Sequence, residues 1–220
     1  MFKYACPSHV VDMVGEYLVF TGRPNAGKSS IIKKMVGLDV ATGKRPGTTR
    51  RFSKYPLSHG LFLVDMPGFG TMMRASKRFE EKMKHQIVEF LESNAQRIAV
   101  AVHVLDISTF LEVTWRLEKK GFIPVDVEMV QFLTEVSGEF PLVAANKIDK
   151  ASREELYANL AELTDRLSNG NAPRVVSNIF PVSAKTGKGL SDLKKAICER
   201  LVEKGHRNLL KTSREPPENL

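Results

Sequence analysis

The chain has 220 residues, 42% of them hydrophobic and 26% charged, a composition that predicts a packed fold and excludes an intrinsically disordered chain. No stretch reaches the roughly 18 apolar residues of a membrane span, and the first residues lack the apolar core of a signal peptide, so we expect one domain in the cytoplasm. Cys6 and Cys198 are too few for a disulfide framework or a metal motif, and Cys198 falls in an apolar stripe typical of a core.

The net charge of +8 is unevenly distributed along the chain. Residues 23–54 carry nine Lys/Arg against one acid, and residues 185–214 carry nine against three. Between residues 106 and 165 the acids outnumber the bases. Such asymmetry is compatible with a basic face for a polyanion, but ordinary solvated surfaces show it too, and neither a recognised RNA-binding module nor an interleaved aromatic pattern accompanies it.

Short apolar runs alternate with amphipathic segments, which predicts a three-layer α/β fold with a mostly parallel sheet covered by helices on both faces. The second predicted strand is polar and ends near Pro56, so we place it at an edge as the one antiparallel strand. In chain order the six predicted strands are Tyr17–Thr21, Arg51–Leu57, Leu61–Val64, Ile98–Leu105, Pro141–Ala145 and Ile179–Val182.

Apolar residues at helical spacing predict helices between these strands. A further helix is predicted over Val127–Val136, and the preceding Trp115 with the charged run Arg116–Lys120 favours a surface loop or helix end, where Trp115 could equally anchor a partner. We expect residues 1–205 to form the domain and 206–220 a flexible tail, because Pro216 and Pro217 cannot continue a helix. The three apolar stripes are Phe79, Met83, Ile87 and Leu91; Leu156, Leu160, Leu163 and Leu167; and Leu190, Leu193, Ile197 and Leu201.

A phosphate-binding loop follows the first predicted strand and leads into a predicted helix. Backbone N–H groups of such a loop surround phosphates, Lys28 reaches the β- and γ-phosphates, and the Ser29 hydroxyl ligates Mg²⁺. The motif alone leaves kinases, ATPases and GTPases open. Ser30, the residue after the motif, is predicted as a further nucleotide contact. The residues that match GxxxxGK[ST] are Gly22, Arg23, Pro24, Asn25, Ala26, Gly27, Lys28 and Ser29.

The segment Asp65-Met66-Pro67-Gly68 ends the third predicted strand. Its carboxylate is expected to emerge beside the phosphate loop and to hold Mg²⁺ through a water molecule. Gly68, without a side chain, can bring its N–H against the γ-phosphate. We assign both segments to the nucleotide site because ligands collect at the carboxyl edge of a parallel sheet.

Two later segments predict guanine specificity. Asn146-Lys147-Ile148-Asp149 follows the fifth strand, and the Asp149 carboxylate can accept two hydrogen bonds from guanine, which adenine cannot donate. Lys147 can lie along one face of the base. Ser183-Ala184-Lys185 follows the last strand, where the Ala184 N–H can donate to the guanine O6. All four motifs, in this order and each at a strand's end, predict a GTPase.

Between the first two motifs lies the loop Lys44–Arg50, whose Gly47 and Pro46 predict mobility. One threonine of this loop, Thr48 or Thr49, should complete the Mg²⁺ shell when GTP is bound. The residues alone do not choose between the two.

The motif set resembles the TrmE-Era-EngA-YihA branch of translation-associated GTPases, over about residues 17–201. The run DMPGFG at Asp65 is similar to the DxPGYG of the EngB (YihA) family, and IPVDVEMVQFL at Ile123 is similar to its archaeal members. The resemblance implies the P-loop GTPase fold and makes Thr49 the Mg²⁺ ligand, catalytic together with Lys28 and Gly68. Asn146 departs from the family's commoner TKxD motif toward the general GTPase pattern.

Two residues bear on the rate of hydrolysis. Phe69 occupies the position where Ras-like proteins carry a water-orienting glutamine, so we expect slow intrinsic turnover, about 10⁻⁴ s⁻¹ as in unassisted Ras. Asn25 lies where potassium-activated relatives ligate K⁺, although it could equally serve only to shape the loop. His103 is interpreted as a satisfied core residue, so no catalytic histidine is assigned.

Three functions remain on these grounds. The resemblance implies a monomeric GTP/GDP switch in the maturation of the large ribosomal subunit, with the basic segments available for rRNA. The alternative from the same family is a switch in cell division and septation, whose partner is a protein. A P-loop kinase or ATPase is disfavoured because it would have no use for Asp149.

Overall fold

The computed structural model describes residues 15–37, 52–69, 77–168 and 172–206 of the chain. The loop Lys44–Arg50, with Gly47, Thr48 and Thr49, lies outside these residues, as does the tail beyond residue 206. The predictions for the loop and the tail therefore stay predictions.

Six strands form one sheet in the described part of the chain, in the order β2-β3-β1-β4-β5-β6. Only the pair β2 and β3 is antiparallel, with Ser53 opposite Asp65, and β2 lies at the edge as its Pro56 predicts. The predicted sheet is thereby confirmed. The strands are β1 (Glu16–Thr21), β2 (Ser53–Ser58), β3 (Leu61–Asp65), β4 (Ile98–Asp106), β5 (Leu142–Asn146) and β6 (Ile179–Pro181).

Helices connect the strands and cover both faces of the sheet. None of the described helices is long and apolar enough to cross a membrane. Short 3₁₀ turns occupy Ala95–Arg97, Ile107–Thr109 and Ile148–Lys150. The helices are α1 (Lys28–Val36), α2 (Lys77–Ser93), α3 (Phe110–Glu118), α4 (Val125–Ser137), α5 (Arg153–Ser168), α6 (Ala172–Val176) and α7 (Leu190–Glu203).

The two sides of the sheet form separate cores because successive residues of a strand point to opposite faces. In β1, Leu18 and Phe20 pack with α1 and α7, whereas Tyr17 and Val19 pack with α2 and α4. A third cluster joins α3, α4 and α5 around Phe110. The apolar stripe predicted for α7 is fully buried, and the helix predicted over Val127–Val136 is α4.

Three local predictions differ from the structure. The segment around Trp115 is the end of a helix, α3, which agrees with one of the two structures predicted for it, but the helix itself was not predicted. Its fully buried residues are Phe110 and Thr114. The short helix α6 was not predicted. Cys198 is only half-buried, because it lies beside the buried Ile197 rather than in the stripe itself.

Parallel strands that start together also end together, and here they end in polar residues. Phe20 of β1 is paired with Asp65 of β3, and Asp106 of β4 with Asn146 of β5. The carboxyl edge of the sheet thus collects two carboxylates and an amide around the loop that follows Thr21. This edge is the candidate site.

Candidate nucleotide-binding site

The phosphate loop owes its shape to two glycines that no other residue could replace. Gly22 has φ 143°, and a Cβ there would lie 2.1 Å from the carbonyl oxygen of Val104. Gly27 has φ 103°, and a Cβ there would lie 2.2 Å from the side-chain nitrogen of Asn146. The loop is therefore in contact with both β4 and the last residue of β5, and it ends where α1 begins at Lys28.

Lys28 and Asp65 form a buried, oppositely charged pair beneath this loop. Lys28 Nζ donates to the carbonyl oxygen of Gly22 at 3.3 Å, so the ammonium group is folded back into the loop. Desolvation lowers the pKa of Lys28 and raises the pKa of Asp65, and the attraction between the two opposes both shifts. An anionic ligand entering the loop would supply the counter-charge that Lys28 otherwise has only from Asp65.

Ser29 at the start of α1 and Asp65 at the end of β3 fit a magnesium ion. Ser29 Oγ donates to Asp65 Oδ2 at 2.8 Å, which leaves Asp65 Oδ1 buried with no hydrogen-bond partner. A buried carboxylate oxygen without a partner is costly, and a hydrated Mg²⁺ would satisfy it. Hard oxygen donors on a hydroxyl and a carboxylate are the ligand set that Mg²⁺ takes beside phosphates. Ser29 and Asp65 would hold the ion.

The segment after β3 packs directly on the phosphate loop. A Cβ on Gly68 would lie 2.7 Å from the backbone nitrogen of Pro24, so only glycine permits this approach. Met66 is fully buried in the core, which leaves only its backbone to face a ligand. Phe69 is also buried, in the core cluster shared with α2 and α4, with its ring centroid 5.9 Å from that of His103. It therefore offers nothing to orient an attacking water.

Asn146 joins the phosphate loop to the loop after β6. Its Nδ2 donates to the carbonyl oxygen of Ala26 at 2.7 Å, and its Oδ1 accepts from the Ala184 N–H at 2.9 Å. The Ala184 N–H predicted to meet a guanine O6 thus already has an acceptor, so a bound base would have to share it. The buried amide of Asn146 fixes the distance between the phosphate end and the base end of the site.

Asp149 lies beside this bridge with its carboxylate held by Ser183. Ser183 Oγ donates to Asp149 Oδ1 at 2.6 Å, and this bond holds the pKa of Asp149 below its ordinary value. A carboxylate with such a pKa is ionised at neutral pH, and the bond to Ser183 fixes its position for accepting hydrogen bonds. Lys147, at φ 71°, is fixed by an ion pair in which its Nζ lies 2.5 Å from Asp106 Oδ2.

Asp106 was not among the predicted site residues, although a signal for it existed. It ends β4 at the same edge as Asp65 and Asn146, so the rule that found those two would also have found it. By holding Lys147, it aligns the lysine stem that was predicted to lie along the base.

Asp126 of α4 is the second residue that the sequence did not reveal. Its Oδ2 lies 2.8 Å from Arg23 Nε in the phosphate loop, and its Oδ1 lies 3.2 Å from His103 Nε2. The other ring nitrogen of His103 is hydrogen-bonded to Thr21 Oγ1 at 3.0 Å. His103 is thus the satisfied core residue that was predicted, and Arg23 is directed to α4 rather than to a ligand.

The remaining predicted contacts lie at the surface of the site. Asn25, at φ 64°, and Ser30 are exposed. Asparagine tolerates this left-handed conformation better than most residues, which is consistent with a loop-shaping role. Lys185 is exposed, and its carbonyl oxygen accepts from Lys34 Nζ at 2.9 Å.

Comparisons with known proteins identify the family. Residues 17–147 match the family model described as 50S ribosome-binding GTPase. The chain is 42% identical over 194 residues to the probable GTP-binding protein EngB of Methanopyrus kandleri, covering 86% of this chain and 94% of that protein. With the EngB protein of Pyrococcus horikoshii the identity is 38%, covering 87% of each chain.

A solved structure agrees with the sequences. The crystal structure of a probable GTP-binding protein EngB superimposes with a TM-score of 0.76 at 38% identity, covering 85% of this chain and 99% of that one. The chain therefore belongs to the EngB family of P-loop GTPases.

Proposed function

We propose that the carboxyl edge of the sheet binds Mg²⁺ with GTP or GDP, and that the guanine base is recognised by Asp149. The observation that carries this proposal is the paired arrangement of Asn146 and Asp149. Asn146 fixes the base end of the site to the phosphate loop, and Ser183 holds the Asp149 carboxylate in place at that end. Adenine lacks the pair of donors that such a carboxylate accepts.

The catalytic groups are few, as suits a switch. Lys28 would neutralise charge on the transferring phosphoryl group, and the backbone N–H of Gly68 would contact the γ-phosphate. Ser29, Asp65 and the predicted Thr49 would hold Mg²⁺, which when bound neutralises the phosphate oxygens. Phe69 supplies no polar atom for a water, so intrinsic hydrolysis is slow and an external partner or cation sets its rate.

The cation would be K⁺, bound by Asn25 beside the β- and γ-phosphates. Turnover measured in K⁺ and in Na⁺ buffers of equal ionic strength tests this. The proposal expects faster turnover in K⁺, lost in Asn25→Ala with GTP affinity retained. Equal turnover in the two salts would leave Asn25 as a loop-shaping residue only.

Base recognition is tested by changing the specificity rather than abolishing it. Asp149→Asn should lose affinity for GTP and gain it for xanthosine triphosphate, whose base offers an acceptor where guanine offers a donor. Isothermal titration of both nucleotides with both proteins measures the exchange, with Lys28→Ala as the control that loses both. Unchanged GTP affinity in Asp149→Asn would overturn the base assignment.

We propose that the target of this switch is the large ribosomal subunit. The printed description of the matched family model, 50S ribosome-binding GTPase, and the basic segments at residues 23–54 and 185–214 support this choice. Co-sedimentation with large subunits should depend on the nucleotide and weaken with salt.

The Asp149→Asn variant sharpens that experiment. Association of the variant with large subunits should differ between xanthosine triphosphate and xanthosine diphosphate, whereas GTP should have no effect. Because contaminating GTPases use guanine nucleotides, they cannot produce this difference. No association in any nucleotide state, with septum formation blocked on depletion and normal ribosome profiles, would favour the role in cell division instead.

A further inference from the structure

The last turn of α3 and the residues after it expose three large apolar side chains within nine residues of sequence. Trp115 is 58% exposed, Phe122 62% and Ile123 65%. Side chains of this size normally bury most of their surface, and aromatic rings left in water are typical of binding surfaces. We call this surface, together with its neighbouring cations, the α3 patch: Trp115, Arg116, Lys119, Lys120, Phe122 and Ile123.

The cations of the α3 patch are exposed and carry no ion pair with any residue that the structure describes. Arg116 and Lys119 lie within about one turn of Trp115, and Lys120 lies two residues before Phe122. Lys119 is four residues after Trp115 and therefore on the same side of the helix. Of the nearby acids, Glu118 is bound to Arg166 of α5 at 2.5 Å, and Glu112 lies three residues before Trp115. The local surface is net positive.

The α3 patch is held in place rather than loosely attached. The Phe122 N–H donates to the carbonyl oxygen of Leu117 at 3.1 Å and the Gly121 N–H to that of Glu118 at 2.8 Å, with Gly121 at φ 74°. These two bonds with a left-handed glycine form a Schellman motif, which fixes the chain that leaves the helix. The start of α3 is fixed too, since the Leu111 N–H donates to Asn159 Oδ1 at 2.7 Å.

We propose that the α3 patch binds an unpaired RNA strand, with bases stacked on Trp115 and Phe122 and phosphates contacted by Arg116, Lys119 and Lys120. A single strand presents flat apolar faces and a negative charge at each nucleotide, and rings interleaved with unpaired cations complement both. The ribosomal role proposed above gives the source of the RNA, and the inference rests on that role only for this source.

The single tryptophan of the sequence makes stacking directly measurable. A single-stranded RNA of about 12 nucleotides should quench the fluorescence of Trp115, because stacked bases quench indole, while a perfect RNA duplex of equal charge should quench it far less. Fluorescence anisotropy of the labelled strand gives the dissociation constant. Equal binding of the duplex and the strand would overturn the proposal.

Substitutions separate stacking from simple burial. Trp115→Leu keeps the apolar surface without the ring and should weaken strand binding at least about fivefold, whereas Trp115→Phe should retain most of it. Val202→Ala is the control, because Val202 is also exposed but lies on α7, which covers the opposite face of the sheet. Equal losses in Trp115→Leu and Val202→Ala would contradict stacking, as would no loss in either.

The cations are tested by salt dependence. Replacing Arg116, Lys119 and Lys120 with glutamine should reduce the slope of log K against log salt by about 2, the value for three phosphate contacts on a single strand. An unchanged slope would show that these cations do not contact phosphate. Stronger binding of an acidic peptide, or of vesicles with anionic lipid, than of the RNA strand would assign the patch to that partner and overturn the proposal.

The outcome is separable from that of the ribosomal role. Two results together would refute the RNA contact while retaining the ribosomal switch. The Trp115→Leu variant would still associate with large subunits, and single-stranded RNA would not quench Trp115 in the unaltered protein. Strand binding that depends on Trp115, without any association with large subunits, would retain the patch and refute the ribosomal role. GTP hydrolysis should be unchanged in every patch variant, because none of these residues touches the nucleotide site.

Discussion

Replacing Asn146 with alanine should separate the two parts of the nucleotide site. The buried amide of Asn146 is hydrogen-bonded to the Ala26 carbonyl and to the Ala184 N–H. The substitution removes both bonds, leaves two backbone groups without partners and frees the phosphate loop from the base-binding loop. The perturbation therefore acts on stability and on binding through the same two contacts.

The size of the effect follows from those contacts. A buried backbone group left without a partner costs about 1–3 kcal/mol, so two of them with partial relaxation predict a loss of about 2–4 kcal/mol. For a protein of this length that corresponds to a fall in Tm of about 5–15 °C. We expect GTP affinity to fall at least about tenfold, or about 1.4 kcal/mol, because binding must then order both loops.

Asn159 of α5 supplies the matched control. It is also a buried asparagine with two hydrogen bonds, from the Leu111 N–H to its Oδ1 and from its Nδ2 to the Glu155 carbonyl, each 2.7 Å. Neither of its hydrogen-bond partners belongs to the nucleotide site. Asn159→Ala should therefore lower Tm by a similar amount while GTP affinity stays within about twofold.

Thermal denaturation and isothermal titration, performed at a temperature where both variants are folded, measure the two quantities. If Asn146→Ala lost stability like Asn159→Ala but bound GTP as tightly as the unaltered protein, the bridge would be only a core contact. The reasoning from loop coupling would then be wrong.

Three further changes test other parts of the site. Gly27→Ala should reduce GTP affinity at least about tenfold, since its Cβ would lie 2.2 Å from a buried amide nitrogen, whereas Gly37→Ala, also at positive φ but with nothing within 4 Å, should leave titrated affinity unchanged. Asp65→Asn should remove the gain in GTP affinity on adding Mg²⁺, measured with and without EDTA; an undiminished gain would contradict the magnesium site. Ser183→Ala should raise the pKa of Asp149, because it removes the hydrogen bond that lowers it. GTP affinity requires the ionised carboxylate, so on acidification the variant should lose affinity at a higher pH than the unaltered protein. Nucleotide titrations with the same pH profile for both proteins would refute this.

The sheet and its carboxyl edge were predictable because each depends on local signals. Nearly continuous apolar runs identify strands covered on both faces, and the polar Pro56 strand identifies the edge. Lys28, Asp65 and Asn146 each follow a strand, so one topological rule brings them together without any knowledge of contacts.

The residues that escaped prediction depend on contacts between distant segments. Asp126 lies at the start of α4, and from the sequence alone an acid at a helix N-terminus is explained by its favourable interaction with the helix dipole. Only the folded chain shows it bound to Arg23, which is 103 positions earlier in the sequence. Helix α3 escaped for a different reason, since its sequence carries helical spacing and the signal was overlooked. Its inner side recurs at that spacing in Phe110, Val113, Thr114 and Leu117, whereas Trp115 falls on the exposed side.

The buried ring of Phe69 also constrains how the segment after β3 can move. Its neighbour His103 is fully buried and tied to Thr21 on one side and to Asp126 on the other, so His103 is the fixed partner. Any displacement of Gly68 that follows the γ-phosphate must therefore either carry the Phe69 ring along in place or withdraw it from the core. Withdrawal exposes the ring at a cost of about 1.5–3 kcal/mol, comparable with a few hydrogen bonds to a nucleotide. If the ring is withdrawn, only a nucleotide that supplies those bonds would offset this cost, which is how the switch proposed above would distinguish GTP from GDP.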